Sequence, residues 1–191
     1  MKTCCAWVLV GVCLVLSGCA TPPRDTVAQV STIDALLSGV YDGQESCRNL
    51  LTHGDFGIGT FDRLDGEMLV LDGVVYQVRS DGTVARPGGD LRTPFAAVCA
   101  FRTDQSCTID KELDFKGMEA FLDTRLPNTN LFCAIRITGT FSLMETRSVP
   151  PQAKPYAPLA EVTKTQPRFT MKDVSGTIVG FRCPPFVKGI N

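Results

Sequence analysis

The 191-residue chain is poor in histidine and tryptophan and carries no excess of charge. Its one histidine, His53, excludes a three-histidine metal site built by a single copy of the chain. Nineteen basic against 20 acidic side chains leave a formal net charge of -1, so nucleic-acid binding has little electrostatic support. There is no CxxC pair and no close Cys/His cluster, which argues against a cysteine zinc site. A serine-nucleophile elbow, a Cys/His dyad and a dinucleotide fingerprint are all missing. Beyond the first 20 residues no run is long and apolar enough to span a bilayer, which takes about 20 residues. The disorder signature is absent too: 44% of residues are hydrophobic and 20% charged. A packed core is therefore available, and the length suits one domain.

What is present begins with an address. Residues 1–20 read MKTCCAWVLVGVCLVLSGCA. Lys2 supplies a positive region, and Ala6 to Leu16 is an apolar run too short to span. Leu16-Ser17-Gly18-Cys19 has the pattern of a bacterial lipobox, in which Cys19 receives lipid. An ordinary secretory signal cleaved nearby, or an N-terminal anchor, is the other reading. The expectation is a signal peptide over 1–18, a tether over 19–29 and a domain over 30–191. That domain would be exported and lipid-anchored, facing the periplasm or the cell exterior. Export permits disulfides. Beyond Cys19, however, the five cysteines Cys47, Cys99, Cys107, Cys133 and Cys183 cannot all pair within the chain. Free, buried cysteine is the default.

The apolar spacing of Ile33, Leu36, Leu37, Val40 and Tyr41 predicts a helix, with Ser31 as N-cap, Asp34 at N3 and Gly43 as stop. A second short helix is expected over 44–53. From Phe56 the period changes to two. Strands are expected at 57–61, 68–71, 74–78, 83–85 and 95–101, with turn signals at Asp72-Gly73 and Asp81-Gly82. Lys111 to Leu126 predicts a helix. Leu131 to Thr146 is one long strand, or a pair broken near Gly139. Pro150 to Pro158 must be loop, and 168–173 and 177–182 are the last strands, joined at Ser175-Gly176. The sum is an α+β domain with helices packed on a mostly antiparallel sheet. The sequence ends soon after the Pro184-Pro185 turn, so the domain is expected to be incomplete at its C-terminus.

Three groups could carry chemistry. In His53-Gly54-Asp55-Phe56-Gly57-Ile58-Gly59-Thr60-Phe61, the glycines admit a ligand near the backbone or mark a twisted, bulged strand. A phosphate loop is ruled out there, since no Lys-Ser/Thr pair follows. Glu67 of Leu64-Asp65-Gly66-Glu67-Met68 is either a general acid or base lining a cleft or an exposed strand-end carboxylate. Arg147 ends a long strand, where it either grips a carboxylate bidentately or forms a weak surface pair. His53 reads as a residue at a helix C-terminus rather than a ligand.

These residues sit in a longer pattern. The chain resembles the bacterial acetolactate decarboxylases, first in VSTIDALL (30–37) and GVYDG (39–43), and most strongly over HGDFGIGTFDRLDGEMLVLDG (53–73). The likeness continues through Tyr76-Gln77-Val78, Thr93-Pro94-Phe95-Ala96, TRSVP (146–150), Tyr156, GTIVGF (176–181) and KGIN (188–191). The resemblance implies a carbon–carbon lyase that converts 2-acetolactate to acetoin and carbon dioxide, in acetoin and butanediol biosynthesis. It implies a histidine-held zinc ion and a homodimer. Glu67 would then act in proton transfer, Arg147 would orient the substrate carboxylate or assist protonation, and Thr60 would line the pocket. In this family the zinc-binding His-x-His pair and a third histidine follow KGIN. In this chain they would lie beyond Asn191, and His53 matches no ligand position. Little or no turnover is expected of the chain as it stands. The alternative is a truncated, inactive lipoprotein, or a remnant that binds a small hydroxy acid through Arg147.

The lipobox yields a direct test. In cells fed a labelled fatty acid the chain is expected to take up label, and Cys19→Ser to lose it. Label retained in that variant would rule out the Cys19 anchor.

Overall fold

The computed structural model describes residues 25–191. The export signal, the lipobox with Cys19, and the tether up to residue 24 lie outside the described residues. The fold is α+β. Its strands are β1 (Val27–Val30), β2 (Glu45–Ser46), β3 (Phe56–Thr60), β4 (Glu67–Leu71), β5 (Val74–Val78), β6 (Val84–Ala85), β7 (Arg92–Thr93), β8 (Ala96–Cys99), β9 (Cys133–Arg147) and β10 (Arg168–Arg182). Its helices are α1 (Ile33–Leu37), α2 (Cys47–Leu50), α3 (Phe115–Arg125) and α4 (Leu159–Val162). No helix among the described residues is long and apolar enough to cross a membrane.

The meander expected from period-two alternation forms the centre of a six-stranded sheet, in the order β1-β8-β3-β4-β5-β6. Its pairs are antiparallel. Asp72 and Gly73 join β4 to β5 with φ of 51° and 74°. Two positive φ values in a two-residue loop are what a tight hairpin between right-twisted strands requires. Val27–Val30 pair with β8, so the sheet begins three residues before the domain start at residue 30 read from composition.

Alternation in β4 sends Met68 and Val70 to one face and Glu67, Leu69 and Leu71 to the other. On the first face Met68, Val70, Val75, Ala96 and Val98 pack with Cys47 and Leu50 of α2. The second face lies under a two-stranded ribbon of β9 and β10, where Phe56, Ile58, Leu69 and Leu71 meet Val179 and Phe181. The Phe56 ring meets that of Phe181 edge-on at 6.0 Å. A third cluster joins Leu36 of α1, Tyr41 and Phe95 to Val149 and Val162 from the connection between the ribbon strands. Cys47, Cys99, Cys107, Cys133 and Cys183 are all free thiols, and Cys47 and Cys99 are buried.

Four local expectations are corrected. The N-cap of α1 is Thr32, whose Oγ1 accepts from the Ala35 N–H at 3.2 Å; Ser31 instead adopts a left-handed φ of 60°. That helix stops at Leu37, and the chain turns at Gly39 before Tyr41 enters the core. The second helix covers only Cys47–Leu50, because the N–H groups of Gln44 and Cys47 donate to the carbonyls of Thr93 and Leu91. The backbone there is drawn toward the small β2–β7 pair. Finally, β10 runs unbroken through Ser175-Gly176 rather than as two strands, beside β9, which is the single long strand of the two readings for its segment. Gly176 pairs with Gly139, so the two weak points fall opposite each other. Hydroxyl contacts flank them, Thr138 to Thr177 at 3.2 Å and Thr140 to Ser175 at 2.9 Å.

The glycines of β3 are there for packing. A Cβ on Gly57 would stand 2.2 Å from the Ala97 carbonyl oxygen of β8. Gly57→Ala is therefore expected to destabilise the chain by about 1–3 kcal/mol, the usual cost of overpacking. This would be read as a lower denaturant midpoint at unchanged slope. A midpoint equal to the parent's would contradict this account.

Candidate functional site

The β3–β4 connection places one candidate residue at each of its ends. Thr60 closes β3, Glu67 opens β4, and the two are cross-strand partners. Between them the backbone is bent sharply: Arg63, Leu64 and Gly66 have φ of 58°, 59° and 89°. A left-handed φ is uncommon for a branched side chain, so this turn holds local strain. It is tied down from three directions. Thr60 Oγ1 donates to the Gly66 carbonyl at 2.8 Å. Nε2 of the buried Gln77 donates to the Asp65 carbonyl at 2.6 Å. Arg79 pairs with the Asp65 carboxylate at 3.2 Å. Glu67 is thus delivered to the ribbon-covered face by a turn with little freedom.

Arg147 arrives from the other layer, at the C-terminal end of β9. The structure brings Thr60, Glu67 and Arg147 onto one cleft of about 310 Å³, lined also by Thr163, Gln166, Leu36 and Val149. Thr60 and Glu67 also line an adjoining, more apolar recess of about 390 Å³, formed with Ile58, Phe95 and Val179. The Arg147 guanidinium makes no hydrogen bond or ion pair among the described residues. Burial pushes the Glu67 carboxyl above the ordinary glutamate range. A hydrogen bond from the Val149 N–H to Glu67 Oε1, at 3.3 Å, and the nearby charge of Arg147 both pull the other way. Desolvation wins, so this carboxyl keeps its proton to a higher pH than an exposed glutamate does.

His53 is exposed and does not line the cleft; its N–H closes the turn after α2 on the Leu50 carbonyl. Thr163 and Gln166 were not singled out from sequence. They sit in the segment that follows the proline loop, and nothing in their spacing marks them as cleft residues. They reach it because residues 148–167 fold back on the core through Val149, Tyr156, Leu159 and Val162. Among the described residues no group of three His, Cys, Asp or Glu side chains could hold a metal ion. Glu67 is the one carboxylate among those lining the cleft. The described residues therefore do not fit a zinc site.

One cleft thus brings together a guanidinium with no hydrogen bond or ion pair among the described residues and a carboxyl whose hold on its proton burial strengthens. Comparison with known proteins places the chain in a family. The chain belongs to the alpha-acetolactate decarboxylase family, whose model matches residues 27–191. It is 52% identical over 167 residues to the alpha-acetolactate decarboxylase of Methanosarcina mazei, covering 87% of this chain and 58% of that protein. It is 45% identical over 168 residues to that of Bacillus subtilis, covering 88% of this chain and 66% of that one. The crystal structure of the Bacillus subtilis strain 168 enzyme superposes with a TM-score of 0.84, over 86% of this chain and 70% of that chain. A Staphylococcus aureus protein of unknown function, similar to alpha-acetolactate decarboxylase, superposes with a TM-score of 0.83 at 31% identity, over 86% of this chain and 70% of that chain. The chain thus spans about three fifths to two thirds of the length of these curated relatives.

The Glu67 environment sets a pH dependence. Folding raises this carboxyl's pKa, so its proton stabilises the folded state. That stabilisation is complete below the unfolded glutamate value of about 4.3 and is lost as pH rises through the folded value. Glu67→Gln stays neutral throughout and can still accept from the Val149 N–H. Its melting temperature relative to the parent is expected to climb as pH rises across that window. A difference that stays constant between about pH 4 and 8 would show that Glu67 does not titrate abnormally.

Proposed function

We propose that the chain serves the decarboxylation of 2-acetolactate to acetoin and carbon dioxide. The observation that carries this reading is the meeting of Glu67 and Arg147 on one cleft in a member of the alpha-acetolactate decarboxylase family. Arg147 takes the substrate carboxylate through parallel N–H donors and fixes the carbon–carbon bond that breaks. Carbon dioxide leaves without the bonding electron pair, which passes into the neighbouring ketone as an enediolate. Glu67 in its protonated form gives one proton to the carbon that lost carbon dioxide, and solvent then restores the carboxyl. One substrate anion and one proton thus become one acetoin and one carbon dioxide. Thr60 helps hold Glu67, since its hydroxyl is engaged with the Gly66 carbonyl of the same turn. A zinc ion would need ligands other than the described residues, and no step here runs through one. The lipobox at Leu16–Cys19 supports an exported, membrane-anchored setting for this chemistry.

For the 191-residue chain alone the expected behaviour is binding with little turnover. Added 2-acetolactate at 100 times its dissociation constant should stabilise the chain by about 2.7 kcal/mol. The shift in melting temperature should vanish in Arg147→Ala. Acetoin release should stay near the rate in buffer. No shift, or one that survives Arg147→Ala, would remove Arg147 from the site. Fast acetoin release would overturn the expectation of low turnover and leave the assigned reaction standing.

A further inference from the structure

Arg147, Ser148 and Val149 are consecutive, and each does something different at the cleft. Arg147 lines it. The Ser148 hydroxyl donates to the carbonyl of Val78 at 2.8 Å. Val78 is the cross-strand partner of Glu67. The Val149 N–H donates to Glu67 itself. We propose that Ser148 is a positioning residue, which sets the separation of Arg147 and Glu67 by pinning the end of β9 to the paired ends of β4 and β5. What that separation serves rests on the decarboxylase reading, whereas the pin does not.

Three features give Ser148 this role. First, the ribbon end that precedes it is exposed: Glu145, Thr146, Arg147 and Arg168 lie in solvent and the Arg168–Glu145 ion pair stays within the ribbon, whereas Val149 after it is packed among Leu36, Tyr41 and Phe95. Second, Ser148 is 0% exposed, so its hydroxyl is held against the Val78 carbonyl rather than in solvent. Third, Pro150 and Pro151 follow Val149 and have no N–H, so Val149 is the last backbone donor before Gln152. The Gln152 N–H then bonds the Arg63 carbonyl at 2.7 Å, which anchors the segment a second time. Loss of the Ser148 hydroxyl therefore loosens the ribbon end carrying Arg147, while Val149, packed in its cluster, and the rest of the connection stay docked.

The test compares Ser148→Ala with the parent in the full chain, using two readouts that do not need turnover. One is the Glu67 titration, followed by carboxyl-labelled NMR and assigned with Glu67→Gln. The other is the dissociation constant for 2-hydroxy-2-methylpropanoate, a stable small hydroxy acid. In Ser148→Ala, Glu67 is expected to titrate at a higher pH, because the Arg147 charge recedes. Binding is expected to weaken about tenfold, the effect of one lost hydrogen bond. A cooperatively melting Ser148→Ala with an unchanged Glu67 titration overturns the proposal. If that variant does not fold, Ser148→Cys, which keeps the size with a weak donor, is read by the same titration and against the same two outcomes. A parent chain that binds no hydroxy acid would sink the decarboxylase reading, while the titration would still decide the pin.

Discussion

The cleft exists because the end of an exposed ribbon is fastened to the face of a sheet. The fastening consists of the Ser148 hydroxyl on the Val78 carbonyl and the Val149 N–H on the Glu67 carboxyl. Ser148 and Val149, which make the two bonds, are both buried. Once this joint is made, the two chemically active side chains face the same space, and the connection between the ribbon strands closes over it with Thr163 and Gln166. The strained turn from Arg63 to Gly66 is the other half of the same construction. It fixes where Glu67 starts, and the joint fixes where Arg147 ends.

The electrostatics follow from the packing. Leu36 and Val149 line the cleft beside Glu67, and burial outweighs the two groups that would favour its ionised form. This carboxyl therefore holds its proton to a higher pH than an exposed glutamate does. Arg147, by contrast, is free among the described residues to meet an incoming anion. The two groups thus differ in environment, one partly buried and one exposed, although both line the same cleft.

The central meander was legible in the residues themselves. Alternation over 68–71 and 74–78 with Asp72-Gly73 between them leaves one physical solution, and the hairpin has it. Glu67 and Arg147 could be singled out as a strand-entry acid and a strand-end base, with a surface role left open for each. The family resemblance added their pairing and Thr60, and the fold sets all three on one cleft. What stayed hidden depends on distant partners. The shortness of α2 follows from carbonyls of Leu91 and Thr93, more than 40 residues away in the chain. The continuity of β10 goes with Gly176 facing Gly139, a register that no local window contains. Thr163, Gln166 and Ser148 carry no periodic signal at all, because a folded-back loop places them.

Glu67 and Val149 are 82 residues apart in sequence, yet they share a hydrogen bond. The β4–β5 hairpin, by contrast, closes across a two-residue turn. Loop-closure entropy must be met before such a distant contact stabilises anything. The meander can therefore assemble from local contacts while the cleft is still open, and the chemical site is completed only when the ribbon docks. The residues that line the candidate site are thus expected among the last to meet, and any slowing of ribbon docking would leave a folded sheet with half a site.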